Sequence, residues 1–85
     1  MEAEKVKSVK IYPNPTFGKF SLESHEDILQ WELVNQFGSL NLFGLMSPND
    51  SRRTEIDISN FPTGTYFLKV TFKDGTMTRK TVLKD

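Results

Sequence analysis

The sequence predicts an all-β domain: an antiparallel β-sandwich or small barrel of about seven strands, with no significant helix. Three observations predict it. Apolar residues recur with period two in nearly every segment, the spacing that puts one strand face on a core and the other in water. Turn-forming residues break these runs every eight to twelve residues. No stretch shows helical spacing between proper caps; the weak candidate, His25 to Trp31, fits a strand at least as well.

The elements follow in order. Val9 and Ile11 alternate with Ser8, Lys10 and Tyr12 in a first strand, closed by Pro13-Asn14-Pro15 and Gly18. Phe20 and Leu22 mark the second, ended by the polar gap Ser24 to Asp27. Leu29, Trp31 and Leu33 give the third its core face, with Trp31 as a buried anchor. After Asn35-Gln36-Phe37-Gly38, Leu40 and Leu42 continue the rhythm in a fourth. Ser47 to Ser51 is the longest breaker cluster, and Ile56 and Ile58 mark the fifth strand beyond it. Asn60 to Gly64 then leads into Tyr66, Leu68, Val70 and Phe72, the core face of the sixth, which leaves Phe67 and Lys69 facing out. Asp74-Gly75 is the strongest hairpin signal, read as a type I′ turn with positive φ at both central residues. In the last strand, Thr76 to Lys84, Met77, Val82 and Leu83 share no single face, as expected of a bulge or an edge strand.

Several residues have local duties. Pro13 and Pro15 hold φ near about −65° and stiffen the corner after the first strand. Asn14 is expected to close an Asx-turn on nearby backbone. Gly18 and Gly38 are expected to take positive φ, and Gly64 to let the chain turn sharply into its strand. Tyr66 is expected to bury its ring and find a partner for its hydroxyl. Residues 1–7 are charged and read as a lead-in; residues 8–85 form the domain.

Size and composition narrow the function. The 85 residues suffice for one small domain. Without cysteine there is no disulfide, thiolate metal site or cysteine nucleophile. Eleven basic and eleven acidic residues cancel, so the basic excess of a nucleic-acid binder is missing. No apolar run reaches the ~20 residues of a membrane-spanning helix. No signal peptide is visible; if the domain is exported, the signal is expected upstream of Met1.

Chemistry is sparse. His25 is the one histidine and reads as a surface residue. Glu23, Glu26 and Asp27 lack the glycine-punctuated spacing of a calcium loop. The five glycines are scattered singly, which rules out a phosphate-cradling loop. Phe17 and Phe67 are the best candidates for exposed aromatics. The expectation is a binding or targeting domain: no enzyme, no cofactor, no metal, no small-molecule substrate and no nucleic acid.

Three segments together resemble one family. They are Ile11-Tyr12-Pro13-Asn14-Pro15 with Gly18 and Lys19 to Leu22; Trp31 to Asn35 with Gly38, Leu40 and Leu42; and Ile56 to Tyr66, containing Pro62-Thr63-Gly64-Thr65-Tyr66, then Leu68 and Val70, with Lys80, Val82 and Lys84 near the end. This pattern is similar to the type A C-terminal sorting domains of the type IX secretion system of Bacteroidetes, over about Val9 to Lys84. Gln36, Phe37 and the extra Asp85 depart from it. The resemblance implies an immunoglobulin-like sandwich fused behind a cargo protein. It implies recognition by an outer-membrane translocon, removal by a cell-surface sortase and release or anchoring of the cargo at the cell surface. Cleavage would fall in or before Met1 to Lys7. The recognition residues it implies are Pro13, Asn14, Pro15, Gly18, Gly38, Gly64, Tyr66, Lys80, Val82 and Lys84. Among them, the last strand is expected to offer a free backbone edge and basic side chains. The competing reading is an accessory carbohydrate-binding or adhesive sandwich, which would carry a row of exposed aromatics or a calcium site.

Overall fold

Period-two patterning produces seven strands in the computed structural model, which describes residues 8–85; the lead-in expected at residues 1–7 lies outside the described residues. The strands are β1 (Val9–Tyr12), β2 (Lys19–Ser24), β3 (Ile28–Asn35), β4 (Leu40–Leu45), β5 (Arg53–Asp57), β6 (Gly64–Phe72) and β7 (Met77–Lys84). No helix occurs among the described residues. One sheet has the order β1-β2-β5 and the other β4-β3-β6-β7, with every pairing antiparallel. This is an immunoglobulin-like sandwich whose fourth strand lies beside the third.

The two sheets bury their inner faces against each other. Val9, Phe20, Leu22 and Ile56, with Ile58 just beyond β5, meet Ile28, Trp31, Leu33, Tyr66, Leu68, Val70, Phe72 and Val82. Two hallmarks of the fold class are present without its disulfide. Trp31 on β3 is buried, and the Tyr66 hydroxyl at the start of β6 donates back to the Pro62 carbonyl at 2.6 Å. The sequence expectation for Tyr66 is met.

Trp31 depends on a neighbour that sequence reading passed over. It pairs across the ladder with Gly44, and a Cβ at that position would lie 2.4 Å from the indole ring. Gly44 is thus the floor on which the ring lies, a close approach that only glycine allows.

Four expectations need correction. Leu29 is exposed and Ile28 is fully buried, because the β3–β6 register shifts between Ile28 and Gln30 and reverses the facing there. Leu40 is exposed and Leu42 half-buried, because a second shift between Leu33 and Val34 pairs Leu40 with outward-facing Val34. Phe67 is half-buried, with the Arg79 guanidinium 5.5 Å from its ring centroid.

The β6–β7 turn is the fourth. Gly75 has φ of 92° and, among the described residues, no non-glycine has positive φ, so this is not a type I′ turn. Gly75 donates to the Phe72 carbonyl at 2.9 Å and Phe72 to the Thr76 carbonyl at 2.8 Å, a three-residue loop with glycine in the left-handed region. The β3–β4 hairpin repeats the device. Gly38 at φ 86° donates to the Asn35 carbonyl, and Asn35 to the Ser39 carbonyl, each at 3.0 Å. β7 pairs with β6 without irregularity, and its alternate residues simply face out from an edge strand.

Gly44→Ala is expected to destabilise the domain by ~1–3 kcal/mol through overpacking against Trp31. Urea unfolding followed by tryptophan fluorescence measures this; an unchanged midpoint would remove Gly44 from its role.

Candidate functional site

The residues that carry the family resemblance are scattered from Pro13 to Lys84, and the antiparallel topology gathers them. The ends of β1, β3, β5 and β7 and the starts of β2, β4 and β6 share one end of the sandwich. The β1–β2 loop brings Pro13, Asn14, Pro15 and Gly18 there. The β3–β4 turn brings Gly38, and the start of β6 brings Gly64 and Tyr66. Gly64 pairs with Lys84, and Tyr66 with both Val82 and Asn35. Lys80 stands apart at mid-strand, opposite Leu68.

The centre of this end is the contact between the β1–β2 loop and β7. Asn14 donates from Nδ2 to the Thr81 carbonyl and accepts the Leu83 N–H at Oδ1, both at 2.9 Å. Thr16 N–H donates to the Leu83 carbonyl at 2.8 Å, and Asp85 N–H to the Thr16 carbonyl at 2.9 Å. A residue's N–H and C=O point to the same side of an antiparallel strand, so these bonds occupy the edge of β7 turned away from β6. Both proline bonds here, Tyr12–Pro13 and Asn14–Pro15, are cis.

Three expectations change at this corner. Asn14 closes no Asx-turn on its neighbours; its side chain reaches across to β7. That role belongs to Asn35, whose Oδ1 accepts from the N–H groups of Phe37 at 2.9 Å and Ser39 at 3.0 Å. Gly18 does not take positive φ. It is buried, and a Cβ there would stand 3.0 Å from the Ser59 Cβ, so its constraint is space. The distal edge of β7 is not free over Thr81 to Asp85. Lys80 and Lys84 also share the inward face of buried Val82, half-buried at the rim, while Thr81 and Leu83 point out. Neither lysine has an ion pair among the described residues.

Thr16 was missed by sequence reading. It is 1% exposed, donates from Oγ1 to the Lys19 carbonyl at 2.7 Å and accepts the Gly18 N–H at 3.0 Å. Thr16 followed two residues later by Gly18 carries the mark of a Ser/Thr turn, the one local clue to it.

The rest of this end is stitched together. Ile58 N–H reaches the Gly18 carbonyl at 2.7 Å. The Asp57 carboxylate accepts from both the hydroxyl and the N–H of Ser59, which hold its pKa below the ordinary 3.8. Phe17 and Phe37, 83% and 81% exposed, project from two loops at this end. At the opposite end, Asp27 joins the sheet connections. Its Oδ1 accepts from Ser51 Oγ at 2.8 Å and Arg52 Nε at 3.0 Å. The Ser51 hydrogen bond, then that from Arg52, hold its carboxyl below 3.8. Among the described residues, no three His, Cys, Asp or Glu side chains group as metal ligands.

Two antiparallel sheets of three and four strands packed face to face place the chain in the class of small immunoglobulin-like modules. The comparisons make this particular. The model of the family described as "Secretion system C-terminal sorting domain" matches residues 10–84, and the chain belongs to that family. It is a sorting signal of type IX secretion, which acts with that machinery and is borne by a cargo protein. No curated protein matches the chain. The crystal structure of CopC from Methylosinus trichosporium OB3b is similar, with a TM-score of 0.53, 12% identity, and coverage of 88% of this chain and 89% of its own. At that identity the likeness shows the fold alone.

Two outcomes follow from this geometry. Tyr66→Phe removes the hydroxyl held by the Pro62 carbonyl, whose residue is exposed, and is expected to cost ~0.5–1.5 kcal/mol in denaturant unfolding. The Asp27 carboxyl is depressed in the folded state, so its contribution is present above the unfolded value near 3.8 and is lost as pH falls through the folded value. Asp27→Asn is expected to flatten the fall in Tm below about pH 4 while leaving its slope above pH 5 unchanged. An acid limb identical to wild type would contradict that role.

Proposed function

We propose that this domain addresses its cargo for passage across the outer membrane, and that the translocon reads the end of the sandwich built by the β1–β2 loop, the β5–β6 loop and the end of β7. On this reading the domain performs no catalysis. After the cargo reaches the cell surface, a sortase cuts in or before residues 1–7, and the cargo is released or anchored. The observation that carries the proposal is convergence: residues drawn from three connections and the end of the last strand meet at one end of a folded sandwich, whereas a linear signal would need no such fold.

Chemical character at this end suits protein recognition. Phe17 and Phe37 supply large exposed rings, and aromatic side chains are favoured anchors of protein interfaces. Lys84 supplies a half-buried cationic side chain at this end, a residue type that can rest its stem on apolar surface while its charge reaches water. The prolines and the hydrogen-bonded corner hold these groups without a large ordering penalty on binding.

A reporter carrying an N-terminal signal peptide, with residues 1–85 at its C-terminus, tests this in a host with type IX machinery. The expected result is reporter at the surface or in the medium, shortened by the mass of the domain. Removing Lys80 to Asp85 also removes buried Val82, so the folded comparison is Phe17→Ala with Phe37→Ala and Lys84→Glu. These exposed or rim changes are expected to move stability within about ±0.5 kcal/mol each while reducing export. Periplasmic retention of the stable wild-type fusion would sink the sorting reading and turn attention to glycan binding.

A further inference from the structure

A carboxamide carries a donor and an acceptor on one planar group, as a peptide unit does. Asn14 uses both on alternate residues of β7, Thr81 and Leu83, and Thr16 continues the pattern to Asp85 as a parallel bridge opposite Lys84. Two ordinary loop residues thereby do the work of a neighbouring strand. They occupy the backbone edge that a partner would need in order to add a strand at the end of β7. They also fix the orientation of that stretch. With the edge held, Val82 stays in the core, Lys80 and Lys84 stay at the rim, and Thr81 and Leu83 face out.

We infer that Asn14 is a positioning residue for recognition: it clamps the last strand, and the export machinery reads β7 as a closed strand through its side chains, adding no strand of its own to this edge. The inference rests on the sorting reading and says how that surface is presented. The two modes of recognition predict opposite outcomes. If the machinery pairs with the edge of β7, removing the Asn14 amide frees the edge and export holds or rises. If it reads a clamped strand, the same change loosens the strand and export falls.

The test compares wild type, Asn14→Ala, Asn14→Asp and Ile56→Val in the same reporter fusion and, in parallel, as the free chain. Ile56 is buried on β5 in the other sheet, and its conservative truncation lowers stability without touching the corner. Export is compared at the temperature where Asn14→Ala and Ile56→Val have the same folded fraction. Hydrogen exchange is read at the Leu83 amide. In Asn14→Ala, its protection is expected to fall by about tenfold or more, the scale of one lost hydrogen bond, while the Leu68 and Val70 amides keep theirs. Export falls with it. Asn14→Asp keeps the acceptor for Leu83 and loses the donor for Thr81, so it lies between. Ile56→Val keeps relative Leu83 protection and exports as wild type does.

Equal export by Asn14→Ala and Ile56→Val overturns the inference, because loss of stability alone would then account for everything. Unchanged Leu83 protection in Asn14→Ala also overturns it, because the clamp would not be holding the strand. Retention of the wild-type fusion is a different failure. It removes the sorting reading and with it the claim about export, while the Leu83 amide still decides whether Asn14 clamps the strand.

Discussion

The seam between the β1–β2 loop and the end of β7 is the constraint on which the molecule turns. The two sheets share no strand, and β7 is the last strand of the larger one. Its inward residue Val82 has no exposed surface, which requires that the strand be pressed onto the core along its length. β6 holds one edge. Asn14 and Thr16 hold the other, with four hydrogen bonds of 2.8–2.9 Å. Thr16 is itself fixed from behind by Lys19 and Gly18, and Gly18 by its close approach to Ser59. A continuous chain of contacts thus runs from β7 through the loop to the segment after β5, and ties the sheets at the end where the family's characteristic residues lie.

On the proposed reading, this arrangement explains why a sorting signal takes the form of a folded domain. Pro13, Gly64 and Lys84 are far apart in sequence and meet only once both sheets have formed. A receptor that reads this end therefore reads the folded state, and an unfolded cargo tail presents nothing comparable. The same seam covers a stretch of edge that would otherwise be open to pairing with other chains, a hazard that sandwich proteins must manage. At the other side of the sheet, β4 has no strand beyond it among the described residues and shows Leu40, Phe43 and Leu45 at its surface.

Much of the fold was legible in the sequence because period-two patterning is a local signal and half-buried strands obey it strictly. Phe20 with Leu22, and Tyr66 through Phe72, were read correctly for that reason. Failures occurred where the period slips. Leu29 and Leu40 sit beside register shifts, and one inserted residue reverses facing without leaving a compositional trace. The corner was legible as a stiff turn and illegible as a clamp. The partner of Asn14 lies 67 and 69 residues away, and nothing local announces a hydrogen bond across that separation. Gly44 was hidden for the same reason: its need to be glycine comes from Trp31 on the neighbouring strand. Lys80 and Lys84 were seen as basic residues on a terminal strand, and the unbroken β6–β7 register shows that no bulge parts them from the face of Val82.

The central claim is that the end of β7 is a closed strand, and hydrogen exchange on the wild-type chain measures it most directly. The amides of Leu83 and Asp85, which would be open on a free edge, are predicted to exchange with protection approaching that of the interior β6 amides, and the Thr16 amide with them. Exchange of Leu83, Asp85 and Thr16 as fast as an unpaired loop would contradict the account and return β7 to a free edge.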